Sequence, residues 1–188
     1  MRKLKNIFTF FLIIIAFNLN AQKKENKEQK FKNNIELCVK TISEKINPLI
    51  QKVVVQLKAK QPNTELIEMY NEAKSSIKNN KEFVTSLTEL DTKINLKYET
   101  LKYIEGSNKL LENFLFPSIK VINEISIIEK DKIGEMFLLI QSEINESQNL
   151  SDKIELFCKN HKLKREISVF EKNEYNEMIE KVKNKMKN

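Results

Sequence analysis

From Phe31 to Met186 apolar side chains recur every three or four residues, and very little interrupts them. Ile35, Cys38, Ile42, Ile46, Leu49, Val53 and Leu57 mark one such stripe. That period matches the 3.6-residue turn of an α-helix and gives each segment one apolar face. No segment alternates apolar and polar residues at period two for long enough to make a strand. The chain also has only two glycines and three prolines among 188 residues. Tight βα turns and phosphate-binding loops need glycine, so the composition argues against an α/β enzyme. The expectation is an all-α fold, an antiparallel bundle of four to five long helices.

The breaks between helices are few. Pro48 either restarts the first helix behind an Asn47 cap or kinks it. "KQPNT" at 60–64 is a turn, with Asn63 or Thr64 as the next cap. The second run carries Leu66, Tyr70, Ala73, Ile77, Val84, Leu87, Ile94, Tyr98 and Leu101. It is one helix or two, with 78–81 or 90–92 as the break. Gly106 suits a helix C-terminus and Ser107 a fresh cap. A third helix then carries Leu111, Phe114, Leu115 and Ile122, kinked at Pro117. A fourth runs from about Asp131 to His161, and a last one carries Ile167, Phe170, Met178, Ile179 and Val182.

The N-terminus departs from this pattern. "MRKLKN" is basic, Ile7 to Leu19 is a 13-residue apolar run, and Ala21 is a small residue before Gln22. Basic, apolar, then small is the order of a secretory signal peptide, and the run falls short of the ~20 residues that span a bilayer. Residues 1–21 are therefore expected to be a signal peptide. The polar stretch 22–30, "QKKENKEQK", is expected to be a flexible charged leader, and 31–188 the bundle domain. The expected location is the periplasm or the extracellular side of the cell surface. With 33 basic and 26 acidic side chains the chain carries +7, and loss of Arg2, Lys3 and Lys5 leaves +4. So mild a surplus on an exported protein does not make a nucleic-acid binder.

The stretches "IELCVKTISEKINPLIQKVVVQL", "ELIEMYNEAKSSIKNNKEFVTSLTELD" and "LKYIEGSNKLLENFLF" cover roughly 35–116. In apolar spacing, in Tyr70 and in Leu90-Asp91, they resemble a family of small secreted all-helical bacterial surface proteins of unknown function. The resemblance implies export and a bundle, and brings no catalytic residues.

Chemistry-bearing groups are sparse. Cys158 and the single histidine, His161, are three residues apart on one helical face. A catalytic thiol needs a lowered pKa, and an apolar stripe raises it. Cys38, Cys158, His161 and Glu155 would make four zinc ligands, but zinc sites usually show paired local ligands and only one such pair exists. No metal and no cofactor is expected, and His161 reads as a cation at a helix C-terminus. Two cysteines in an oxidising compartment are expected to form a Cys38–Cys158 disulfide, since an up-down-up-down bundle brings both to one end. Phe114 and Phe116, beside Pro117, either line a ligand cavity or fill the core. The lysine-rich tail (Lys181, Lys183, Lys185, Lys187) offers peripheral contact with an anionic surface.

The function expected is non-enzymatic. The chain would be a binding or envelope-associated interaction protein, a monomer or small oligomer whose partner is a protein or another envelope component. The alternative is a carrier of a hydrophobic small molecule inside the bundle.

Overall fold

The structure, a computed structural model, describes residues 26–59, 61–124 and 130–165. The expected signal peptide, the last helix and the lysine-rich tail lie outside the described residues. Among the described residues there is no strand, and the fold is all-α. We number the helices α1 (Lys27–Ala59), α2 (Glu65–Ser86), α3 (Leu96–Leu110), α4 (Phe116–Glu124) and α5 (Lys130–Asn160). A π-helical turn, Leu111–Leu115, joins α3 to α4 without a break, so α3 and α4 form one rod. The bundle thus has four rods among the described residues.

The helices start where local hydrogen bonds permit. α1 begins at Lys27, inside the stretch expected to be a flexible leader, because the Asn26 side chain accepts the Glu28 amide at 3.1 Å. Such a cap satisfies one of the amides that a helix start leaves without a partner. At α2 it is Asn63, not Thr64, whose side chain accepts the Glu65 amide, at 3.1 Å. α1 passes through Pro48 as one helix of 33 residues. Pro48 sits on the exposed face, where the carbonyl that its ring deprives of a partner can reach water.

The second apolar run divides at the later of its two expected breaks. α2 stops at Ser86, and residues 87–95 form a loop held by carboxylates. Glu89 accepts the amides of Leu90 and Asp91 with one oxygen and that of Lys97 with the other. Asp91 accepts those of Lys93 and Ile94. The Lys97 ammonium donates to the Thr85 and Leu87 carbonyls, at 2.6 and 2.7 Å. A cation there suits the negative end of the α2 dipole. Gly106 and Ser107, expected to end one helix and begin another, lie inside α3.

The π-turn answers Pro117. A proline inside an α-helix has no N–H and its ring presses on the carbonyl four residues back. Here the Phe116 amide bonds Leu111, five residues back, so the widened turn takes up the proline without stopping the rod.

Cross-links fix the topology. Lys45–Glu72 and Lys52–Glu65 pair α1 antiparallel to α2. Tyr70–Glu112 and Lys97–Thr85 pair α2 antiparallel to the α3–α4 rod. Glu99–Asn149, Lys102–Glu146 and Ser107–Glu143 pair that rod antiparallel to α5. Phe31 meets Phe157 with ring centroids 5.7 Å apart, closing the start of α1 on the end of α5. One core runs through all four rods, including Ile35, Ile42, Leu49, Leu66, Ile77, Leu96, Ile104, Leu111, Leu150 and Ile154. Burying each such side chain contributes about 1.5–3 kcal/mol before the chain's ordering is counted.

Candidate functional site

The two cysteines are buried free thiols and are not at bridging distance, so the expected Cys38–Cys158 disulfide is not formed. The ends of α1 and α5 do meet, at Phe31 and Phe157; what fails is the direction round the helix. Cys158 lies among Lys32 and Glu36, whose charges act on its thiol. At ~100° per residue Cys38 points about 120° away from Lys32 and about 160° away from Glu36 on the same helix. Burial raises the Cys38 thiol to about 11 and raises that of Cys158 as well. A thiol so shifted holds its proton at neutral pH and is a poor nucleophile.

His161 does not turn to Cys158. It stands one residue beyond α5, its amide bonded to the Phe157 carbonyl at 3.0 Å and its ring 4.4 Å from the Phe157 ring. Its Nε2 is 3.1 Å from Asp91 Oδ2, which ties the end of α5 to the loop between α2 and α3. Burial acts to raise the Asp91 pKa, but the Ile94 amide, His161 and the Lys93 amide together leave it below its ordinary value. Among the described residues no three His, Cys, Asp or Glu side chains converge as metal ligands. Glu155 is exposed.

Phe114 is fully buried in the common core. Phe116, half-buried, stacks on Tyr70 at 4.7 Å with the planes 22° apart, and the Lys120 ammonium lies over the Phe116 ring, 4.7 Å from its centroid. The Tyr70 hydroxyl donates to Glu112, which also pairs with Lys74 at 2.9 Å. The π-turn puts Glu112 and Phe116 on the same side of the rod, both against Tyr70.

Two buried polar groups escaped sequence reasoning. The first is Lys32 and Glu36, an ion pair of 3.1 Å with both side chains fully buried. Lys32 also donates to the Lys164 carbonyl at 2.9 Å, and Arg165 donates to Ser151 close by. The pair's spacing of four residues was visible in the sequence, but such pairs are usually solvated. The second is Glu143, in the middle of α5 and 7% exposed. The Ser107 hydroxyl donates to its Oε1, while its Oε2 has no hydrogen-bond partner among the described residues. A Cβ on Gly106 would come within 2.7 Å of that Oε2. Burial raises the Glu143 pKa to about 8, against a smaller lowering by Ser107, with the Glu146 charge adding to the rise. Gly106 was the readable signal: a glycine inside a helix often marks a close approach.

Among the described residues a shallow, open groove runs along one face of α2, with Lys45 of α1 at its edge. Lys45, Thr64, Ile67, Glu68, Asn71, Glu72, Ser75, Ser76 and Asn79 line it. Its walls are short amides, hydroxyls and charges, with Ile67 as a partly exposed apolar contact. Such a groove can hold an extended polar segment by hydrogen bonds; nothing in it resembles a set of acid, base and nucleophile. No helix among the described residues is long and apolar enough to cross a membrane. No protein-family model matches this chain, and no curated protein or solved structure shows a significant match to it.

Proposed function

We propose that the chain is exported and serves, without catalysis, as a helical bundle that binds a protein or another component of the cell envelope. The open, mixed-polar groove along α2, edged by Lys45 of α1, is the observation that carries this reading. Two ion pairs, Lys45–Glu72 and Lys52–Glu65, brace the helices along it, so it is a preformed rather than an induced surface. The basic, apolar, small order of residues 1–21 supports export.

The test is site-specific photo-crosslinking in cells, with the reactive side chain at Asn71 or Ser75. The expected result is a discrete crosslinked species absent when the probe stands at Lys109, on another helix. No species from the groove positions ends the binding assignment. Sequencing the N-terminus of protein from the envelope or medium tests export separately, and Gln22 is the expected first residue.

A further inference from the structure

We propose that Glu143 is a pH-operated latch between α3 and α5: with its carboxyl protonated it holds α5 on α3, and on ionisation it loosens that contact.

The geometry carries this. α5 packs on α3 along a seam of small and polar residues, with Thr100, Ser107, Ser147 and Ser151 buried in it. Gly106 has no side chain, which lets the Glu143 carboxyl come against the α3 backbone. One oxygen takes the Ser107 hydroxyl. The other, and the Ser147 hydroxyl one turn on, have no partner among the described residues. A neutral carboxyl leaves one O–H donor to satisfy here. A carboxylate in the same place has one hydroxyl and, among the described residues, no cation, and burying an unpaired charge costs more.

The charged groups around it do not help the ionised form. On α5, Glu146 is of like sign. On α3, Lys102 is held by Glu146 at 3.3 Å and lies 3.8 Å from Glu99. From α3 Ser107 is the facing donor, and Tyr103 shares its hydroxyl with Ser43 of α1 at 3.1 Å. The rise of the Glu143 pKa to about 8 agrees with this arrangement.

The sign follows from linkage. A carboxyl whose folded pKa lies above the ordinary 4.5 contributes its full stability below that value. The contribution is lost as pH rises toward about 8. The latch is therefore closed in mild acid and released at weakly alkaline pH.

The experiment compares the full chain with Glu143→Gln, which keeps the shape and cannot ionise. Urea unfolding and amide hydrogen exchange are followed from pH 5 to pH 9. Relative to Glu143→Gln, the unfolding constant of the parent should rise by roughly tenfold per pH unit through the neutral range. The parent's excess exchange should concentrate in α5 around 143–151 and in α3 around 103–107, with α1 and α2 little changed. Parallel pH profiles for the two proteins would overturn the latch, as would excess exchange spread evenly over all helices. If Glu143→Gln does not fold, carbon-13 titration of the glutamate carboxyls in the parent decides. A carboxyl titrating above pH 6 supports the proposal, and none above pH 6 refutes it.

Discussion

Among the described residues two acidic side chains are buried, Glu36 and Glu143, and they are stabilised in opposite ways. Glu36 lies on α1 beside Lys32, a full ion pair out of water. Glu143 lies on α5 beside Ser107 and Gly106, with a hydroxyl in place of a cation. The first site supplies an opposite charge four residues away; in the second, burial pushes the carboxyl up to about 8. Burial alone does not decide the protonation state of a carboxyl. The donors within reach decide it.

The largest expected effect breaks the first member of the comparison. Lys32→Met removes the cation beside Glu36 and the donor to the Lys164 carbonyl, and should cost about 3–5 kcal/mol in urea unfolding. Replacing both residues, Lys32→Met with Glu36→Leu, should recover most of that loss, since a buried pair is often no better than apolar residues of similar size. A double variant as unstable as the single one would show that the pair does more than offset its own burial.

A smaller effect sharpens the second member. Gly106→Ala in an exposed helix would add about 1 kcal/mol through helix propensity. Here the new methyl displaces the Glu143 carboxyl, and overpacking costs about 1–3 kcal/mol. The net expectation is a loss of about 1 kcal/mol by the same two opposed terms, measured by thermal or urea unfolding. A gain in stability would mean that the carboxyl moves aside freely.

The smallest effect adds a third carboxylate to the comparison. Asp91 accepts two backbone amides and faces His161, and its pKa is lowered. Its contribution is present above the ordinary value of 3.8 and is lost as pH falls below it, the reverse of Glu143. Asp91→Asn, whose amide oxygen still accepts but carries no charge, should therefore weaken protection of the Lys93 and Ile94 amides at pH 6 and change it less at pH 3. Equal protection in parent and variant at pH 6 would show that the loop holds without this carboxylate. A last measurement concerns the thiols: denatured without reductant, the chain should take up two equivalents of an alkylating reagent. Folded at pH 8 it should react slowly, since burial raises both pKa values.

The helical period of Phe31 to His161 was sufficient to read the fold class, because burying a stripe is what a helix in water must do. Among the described residues the chain reverses three times, and the third rod begins at Leu96 rather than after Gly106. Spacing offered 78–81 and 90–92 as breaks but could not choose between them or show that Glu89 and Asp91 hold the loop, since its apolar members fall in register with the helices on either side. The cysteine pairing failed for a related reason. Residue period places both on apolar faces, but which neighbour each face meets depends on the azimuth at which the rods dock, and that is a property of packing. Glu143 was one of 26 acidic residues until α3 was seen against it.

Phe31 against Phe157, and Lys32 bonded to the Lys164 carbonyl, put the start of α1 and the end of α5 at one pole. The other pole holds the α1–α2 turn, where the Asn63 amide bonds the Asn123 side chain. α1 alone, at 33 residues, is about 50 Å long. Residues 26 and 165 thus share one foot of the described bundle, about 50 Å from the α1–α2 turn at the opposite tip.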